Sequence, residues 1–219
     1  MTTDKRESLI AAACEAFRRD GFAATRIGDI ASLAQVGKGT VYEYFPSKEA
    51  LLLACCLSQC EGNRAAIHTA LGRDPAFARL IPASFDQDTA PEAGDHPDPL
   101  GALRTILITA ITHLIEHSTQ NCRLFLELFA LARHNPALRA EAQPAILRVL
   151  ERWEALALIL LQAAQAKGQI RPHPDLPGVS RQLSAIIDGL MLQRSWREDL
   201  SPADLARRTT DTFLAGLRP

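Results

Sequence analysis

The sequence predicts an all-α protein made of a small N-terminal domain and a larger C-terminal domain. Alanine and leucine are abundant while aromatic residues make up only 5% of the 219 residues, a composition that favours helices over strands. Apolar residues recur at helical spacing, and no strand-like alternation extends beyond a few residues. The length suits a small domain joined to a larger one, because domains commonly span ~100–200 residues.

Composition and charge exclude several classes of protein. Hydrophobic residues make up 47% and charged residues 22% of the chain, which is ordinary for a globular protein with a buried core. The chain has 24 Lys and Arg against 25 Asp and Glu, a net charge of −1. This balance excludes a polycation that coats nucleic acid and a strongly acidic disordered chain. Any contact with nucleic acid must therefore be local.

The cysteine content and the apolar pattern predict a soluble cytoplasmic protein. Met1 leads into a polar segment rather than the apolar stretch of a secretory signal, and no run approaches ~18 apolar residues, so neither secretion nor a membrane span is expected. The five cysteines are an odd number, and free thiols in a reducing compartment are the expectation.

The first domain begins with two predicted helices. Residues 4–20 place apolar side chains at helical spacing, and Gly21 is expected to end this helix in the left-handed conformation. Thr25 is predicted to cap a second helix over about 26–34.

A turn at 35–37 then leads to a short third helix over about 38–44, which Pro46 prevents from continuing. Ser47 is predicted to cap a long fourth helix that extends to about residue 71. We expect the domains to span 1–47 and 48–219.

The larger domain starts with an acidic segment and continues as helices. Residues 82–98 hold five acidic residues and no Lys or Arg, which predicts a mobile loop, with an acidic docking site as the lesser alternative. Turn and cap signals such as Asn135-Pro136 and Ser201-Pro202 separate the later helices. These helices are predicted over about 99–117, 122–134, 136–167, 178–198 and from 202 onward.

Residues 25–51 (TRIGDIASLAQVGKGTVYEYFPSKEAL) have the pattern of a helix-turn-helix followed by a supporting helix. The second short helix of such a motif enters the major groove of DNA with its N-terminal residues on base edges. Glycine there allows the backbone to approach the groove, while hydroxyl and basic groups can bind phosphates. The predicted DNA-binding residues are Thr25, Arg26, Lys38, Gly39, Thr40, Tyr42, Tyr44 and Lys48.

This segment resembles the DNA-binding domain of the tetracycline-repressor (TetR) family over about 50 residues. The chain departs from the usual pattern with Gln35 and Gly37, where the family commonly has Gly and Ser, and with Gly28, where some members place a base-contacting side chain. The segments LFLELFALARHNPALRA and IIDGLMLQ resemble the C-terminal domains of the betaine-inhibitor and multidrug-efflux-repressor type.

The resemblance implies a homodimer in which the last two helices of each subunit form a four-helix bundle. The alternative is that these helices only cover their own core. The residues expected at the dimer interface are Val179, Leu183, Ile186, Leu190, Leu205, Phe213 and Leu217.

The resemblance also implies a repressor that a small ligand releases from a palindromic operator, without enzymatic activity or a cofactor. The apolar bias of the larger domain suggests a small apolar or amphipathic effector. The residues expected to line its pocket are His113, His117, Phe125, Leu128, Phe129, Trp153, Leu156, Ile187 and Asp188.

A second hypothesis is a regulator that responds to metal or to oxidants. Cys56 and Cys60 lie four residues apart beside Cys55, as do His113 and His117, and this spacing places two ligands on one helix face. Buried cysteines also pack as small apolar residues, so core packing is the competing and favoured interpretation, and no bound metal is predicted.

Overall fold

The computed structural model describes residues 2–72, 77, 96–197 and 199–219. Within these ranges the secondary structure is entirely helical, so the predicted all-α class is confirmed. Residues 82–95 of the predicted acidic loop lie outside the described residues. The helices are α1 (Thr2–Asp20), α2 (Ile27–Leu33), α3 (Lys38–Tyr44), α4 (Lys48–Leu71), α5 (Pro99–Glu116), α6 (Ser118–His134), α7 (Pro136–Ala166), α8 (Leu176–Arg194) and α9 (Pro202–Ala215).

The helices are distributed between two compact units, each with its own core. The first unit consists of residues 1–60 and 120–146, and the second of residues 61–119 and 147–219. The units follow packing, so they differ from the functional domains expected on either side of residue 47. That boundary stays a prediction.

In the first unit, α1 packs against α2, and α2 packs against α3. Leu9 and Phe17 of α1, Ile30 of α2 and Val41 of α3 are fully buried in the shared core. Gly21 ends α1 with a φ of +83°, as predicted. The two short helices α2 and α3 thus acquire, together with α1, an apolar core that they could not form alone.

The turn between α2 and α3 contains a strained residue. Gln35 has a φ of 56°, in the left-handed region, and it is the one residue other than glycine with a positive φ among the described residues. Gly37 then occupies the N-cap position of α3 in an extended conformation. Both residues stand at positions where the chain departs from the usual TetR pattern.

The start of α2 differs from the prediction. Arg26, not Thr25, is the N-cap residue, and its backbone N–H donates to a carboxylate oxygen of Asp29 at 3.1 Å. Thr25 is buried, and its hydroxyl lies 2.7 Å from the carbonyl oxygen of Gly21 and 3.2 Å from that of Ala16. The predicted Thr25 cap is wrong because its hydroxyl is directed into the end of α1.

The N-terminal half of α4 completes the first core. The Ser47 hydroxyl accepts a hydrogen bond from the Ala50 N–H at 3.0 Å, which confirms the predicted cap. Leu52 is fully buried in a cluster that also contains Leu124 of α6 and Leu138 of α7.

In the second unit, α5 packs against α8 and α9 around a core of branched apolar residues. The N-termini of α5 and α8 share one arrangement. Asp98 accepts from the Gly101 N–H at 2.9 Å, and Asp175 accepts from the Gly178 N–H at 2.8 Å. The predicted start of α8 at residue 178 was late because Pro177 lies within the first turn.

The caps of α7 and α9 confirm the sequence signals. The Asn135 side-chain oxygen accepts from the Leu138 N–H at 3.1 Å, and the Ser201 hydroxyl accepts from the Asp204 N–H at 3.4 Å. In the part of the chain that the structure describes, no helix is both long and apolar enough to span a bilayer.

Candidate nucleic-acid interface and ligand cavity

The outward face of α3 carries most of the predicted DNA-binding side chains. Val41 is fully buried and attaches the helix to the first core. Lys38, Gly39 and Tyr42 are exposed, and Thr40 is half-buried. One side of α3 therefore anchors the helix while the other presents an ammonium group, bare backbone and two hydroxyls to solvent.

Gly39 is not required by the internal packing of α3. A Cβ atom added at this position would meet nothing within 4 Å. Because glycine weakens a helix by ~1 kcal/mol relative to alanine, the fold alone favours alanine here. An external surface that approaches the backbone closely would explain the glycine.

Two further basic residues of the first unit, Arg26 and Arg6, are exposed. Arg26 is exposed at the start of α2, as the sequence predicted. Arg6 of α1 lies with its guanidinium 5.3 Å from the centre of the Phe45 ring, directly after α3. The sequence interpretation missed Arg6, whose only signal was a pair of adjacent basic residues, Lys5 and Arg6, in the first helix.

Lys48 has an internal structural role that the sequence did not predict. Its ammonium donates to the carbonyl oxygens of Phe22 at 2.8 Å and Thr25 at 3.0 Å, and it lies 4.3 Å from the centre of the Phe22 ring. The side chain fastens the start of α4 to the α1–α2 connection. Two of its three N–H donors are thus used inside the protein and one is left for a phosphate, so the predicted DNA contact of Lys48 stays a prediction.

Thr25 and Tyr44 are also less available to DNA than predicted. The hydroxyl of buried Thr25 is used by backbone carbonyls, which removes its side chain from the set of surface contacts. Tyr44 is half-buried and packs against the first core. Tyr42 remains 49% exposed, so it is the more accessible of the two tyrosine hydroxyls.

The second unit contains a cavity of about 90 Å³ between α5, α7 and α8. Its lining includes four of the predicted pocket residues, Trp153, Leu156, Ile187 and Asp188. Asp188 is exposed to solvent at the cavity edge, and desolvation by the surrounding atoms raises the pKa of its carboxyl.

The other predicted pocket residues lie elsewhere. Leu128 is buried in the core of the first unit, Phe125 packs against that core, and Phe129 is 60% exposed. Their helix, α6, packs in the first unit, which sequence proximity to α7 did not reveal. His113 and His117 belong to the second unit but are not part of the cavity lining.

The two histidines interact with each other rather than with a ligand set. Their ring centres are 4.5 Å apart, and His117 Nδ1 lies 2.8 Å from the His113 carbonyl oxygen. Burial lowers the pKa of His113, and the neighbouring His117 adds to this effect. Among the described residues, no cluster of three His, Cys, Asp or Glu side chains is arranged to hold a metal.

The cysteines do not support a metal or redox site built from Cys55, Cys56 and Cys60. Cys55 and Cys56 are fully buried. A hydrogen bond with Cys14, followed by burial, raises the pKa of Cys55, and burial raises that of Cys56. Because thiolates are the metal-binding and nucleophilic form, these two side chains act as apolar packing.

The predicted dimer residues separate into two groups. Val179, Leu183 and Leu217 are buried within the core of their own chain, so their assignment to an intersubunit surface is wrong. The apolar surface of each helix is wider than a single interface requires, and these three residues lie on the part that faces the core. The partly exposed members are Ile186, Leu190, Leu205 and Phe213.

Two apolar residues near the end of α8 were not predicted. Leu192 is 43% exposed and Trp196, just after the helix, is 84% exposed. Large apolar side chains gathered on one surface often mark a protein contact.

The geometry defines a helix-turn-helix unit combined with an all-helical second unit that holds a cavity, and sequence comparisons agree. Residues 9–55 match the family described as "Bacterial regulatory proteins, tetR family", and residues 99–219 match "BetI-type transcriptional repressor, C-terminal". The chain belongs to the TetR family of transcriptional regulators, which are DNA-binding proteins and not enzymes.

Individual relatives match this chain either over most of its length or over a short segment. The chain is 28% identical to the regulator TtgR of Pseudomonas putida over 88% of this chain and 80% of that protein. With YerO of Bacillus subtilis the identity is 47%, but the alignment covers only 24% of this chain and 18% of that protein. The higher identity is thus confined to a short segment of the chain.

Solved structures share the fold along the whole chain. A TetR-family regulator from Mesorhizobium loti covers 100% of this chain and 99% of its own, with a TM-score of 0.67 at 21% identity. NalD, the secondary repressor of a multidrug efflux pump in Pseudomonas aeruginosa, covers 100% and 98%, with a TM-score of 0.64 at 22% identity.

Proposed function

We propose that this regulator is a homodimeric repressor that binds a pseudo-palindromic DNA operator and leaves it when a small apolar or amphipathic effector binds. The exposed face of α3, with Lys38, Gly39 and Tyr42 directed outward, is the observation that carries the proposal. Such a regulator acts on DNA in the cytoplasm.

The proposed DNA contacts are those that the structure leaves accessible. Lys38, Gly39 and Thr40 lie in the first turn of α3, the end that reaches base edges in helix-turn-helix proteins. Arg26 and the Tyr42 hydroxyl are proposed to bind phosphates, which position the protein without reading sequence. The sequence-predicted Tyr44 remains a secondary phosphate contact.

A dimer would supply the specificity that one short helix lacks. One recognition helix reads only a few base pairs, whereas two related by a two-fold axis read half-sites roughly 34 Å apart or a multiple of that distance. The proposed interface lies on half-buried and exposed apolar side chains of the last two helices and of the segment directly after α8. It consists of Ile186, Leu190, Leu192, Trp196, Leu205 and Phe213.

The proposed coupling between effector and DNA runs along α4. This helix contributes Lys48–Cys60 to the first unit and Glu61–Leu71 to the second, and its 24 residues span ~36 Å. An effector that binds better to one setting of α4 would lower DNA affinity. By thermodynamic linkage, DNA would lower effector affinity by the same factor.

Gel-shift measurement with the DNA upstream of the protein's own gene tests operator binding. We expect a retarded band at low salt and a single dominant protected site in footprinting. Lys38→Ala should weaken binding and relax base preference at one position of each half-site. Tyr42→Phe should weaken binding to all sequences alike.

Arg208→Ala is the matched control for Lys38→Ala. It removes one positive charge from an exposed position on α9, in the second unit. Both variants change the net charge equally, so a general electrostatic effect would weaken DNA binding equally in both. Absence of any retardation by the unmodified protein at low salt would contradict the proposed function.

Sedimentation velocity tests the dimer. The double change Ile186→Asp with Leu190→Asp places charges in the proposed interface and should shift the protein to monomer. Thr69→Asp, at an exposed position on α4 in the same unit, should leave the dimer intact. A dimer that persists in the double variant would refute this interface.

A further inference from the structure

Polar side chains line one side of the cavity in the second unit. Ser180, Ser184 and Asp188 recur at intervals of four residues on α8, so they form a single stripe along the helix. The walls contributed by α5 and α7 are apolar and include Leu103, Leu156 and Trp153. The cavity is therefore apolar with one polar edge.

The members of this stripe are used to different extents. The Ser180 hydroxyl donates to the Pro177 carbonyl oxygen at 2.9 Å. For Ser184 and Asp188, the described residues provide no hydrogen bond or ion pair to the side chain. The Asp188 carboxylate thus lies at the edge of an apolar space without a cationic partner.

The chemistry of the lining selects the charge of the occupant. Among the described residues that line the cavity, none is Lys, Arg or His. An anionic ligand would meet the carboxylate of Asp188 without compensation, whereas a cation would supply the partner that this group lacks. The ring of Trp153 lines the same cavity, and indole is the aromatic group that attracts cations most strongly.

The size of the cavity limits how much of a ligand it takes. A volume of about 90 Å³ exceeds the ~10–15 Å³ that one water molecule needs, so a group of several heavy atoms fits. A larger molecule would extend past the solvent-exposed edge beside Asp188.

We propose that the effector is an amphipathic organic cation, with its ammonium group on Asp188 and its apolar part against Trp153 and the leucines of α5 and α7. The inference rests on the proposed ligand-responsive function and assigns the class of ligand. Ser184 supplies a hydroxyl four residues from Asp188 on the same stripe, which can accept a hydrogen bond from the ammonium group.

Three probes of similar size and different charge test the proposal by isothermal titration calorimetry with the full chain. They are 2-phenylethylammonium, 2-phenylethanol and 3-phenylpropionate. We expect the ammonium compound to bind about 10-fold or more tightly than the alcohol, since hydrogen bonds to charged groups are the strong ones, and the carboxylate to bind most weakly.

Asp188→Asn keeps the shape of the side chain and removes its charge. It should abolish the preference for the ammonium compound while leaving the affinity for the alcohol nearly unchanged. Asp199→Asn is the matched control, because it removes one exposed carboxylate outside the cavity and should preserve the preference. A preference that survives Asp188→Asn would overturn the proposal.

Equal binding of ammonium compound and alcohol, tighter binding of the carboxylate, or no binding of the ammonium compound at millimolar concentration would also overturn it. A gel shift with operator DNA, run on the same preparation without any of the three compounds, tests DNA binding by itself. It therefore distinguishes failure of the ligand assignment from failure of the proposed function. Retardation without ammonium binding removes only the ligand assignment. Ammonium binding without retardation removes DNA binding and leaves the cavity assignment.

Discussion

Gly39→Ala should stabilise the protein and at the same time weaken DNA binding. Gly39 lies in α3, and a Cβ atom there would contact nothing within 4 Å, so the added methyl group costs no internal strain. Alanine is favoured over glycine in a helix by ~0.5–1 kcal/mol. For a chain of this size we expect the melting temperature to rise by roughly 2–4 °C at the upper end of that range.

The same methyl group should hinder DNA. If the backbone at Gly39 approaches the groove closely, the methyl must displace DNA or α3, and overpacking of this kind costs ~1–3 kcal/mol. A loss of ~1.4 kcal/mol of binding free energy corresponds to about a 10-fold larger dissociation constant. Fluorescence anisotropy with labelled operator DNA measures this loss, and differential scanning calorimetry measures the stability.

Gly62→Ala provides the matched comparison. Gly62 is an exposed glycine of α4 in the second unit, and a Cβ there also meets nothing within 4 Å. It should raise the melting temperature similarly and leave DNA affinity unchanged. If Gly39→Ala is stabilised but binds operator DNA as tightly as the unmodified protein, the close approach at Gly39 is refuted.

Three further changes test how the fold supports these surfaces. Lys48→Met should lower the free energy of unfolding by ~1–3 kcal/mol, because it leaves the Phe22 and Thr25 carbonyl oxygens without their donor, and thermal unfolding measures this loss. Unchanged stability together with lost DNA binding would show that Lys48 acts mainly as a phosphate contact. Gly178→Ala should destabilise despite alanine's helix propensity, since its Cβ would collide with the Asp175 carboxylate, and urea denaturation showing a gain would contradict this. Asp98→Asn should flatten the acid dependence of stability. Hydrogen bonds from the Gly101 N–H and then from the Gln169 side chain lower the pKa of Asp98. The stability that Asp98 contributes is therefore present above about pH 4 and is lost as the pH falls through the lowered pKa. If the variant's stability depends on pH as steeply as that of the unmodified protein in acid, the result would count against the cap.

Local signals in the sequence were sufficient for most helix boundaries. Ser47, Asn135 and Ser201 act as caps at the predicted positions because capping depends on residues within one turn of the chain. The positive φ of Gln35 had a signal in the sequence as well, because the TetR family commonly has glycine at this position. Thr25 was not, because its hydroxyl is directed to carbonyls of the preceding helix.

The candidate sites were harder to predict where distant segments meet. Trp153 and Asp188, expected to line one ligand pocket, do line the same cavity, and whether it takes a ligand stays a prediction. Phe125, Leu128 and Phe129 were assigned to the same pocket because they are apolar and near in sequence. Apolar character indicates burial but not which core a helix joins, and α6 joins the first.

The sequence by itself determined the helical class, the helix-turn-helix and the outward face of α3, because helical periodicity and caps are local properties of the chain. Only the tertiary structure decided that Lys48 binds carbonyl oxygens inside the first unit and that Leu183 serves its own core. It also placed Asp188 at the edge of the cavity, where no cationic partner is found among the described residues. The physical reason is that the sequence shows which residue carries an ammonium, a methyl group or a carboxylate but not which atoms surround it. The role of the group depends on those atoms, which folding brings near.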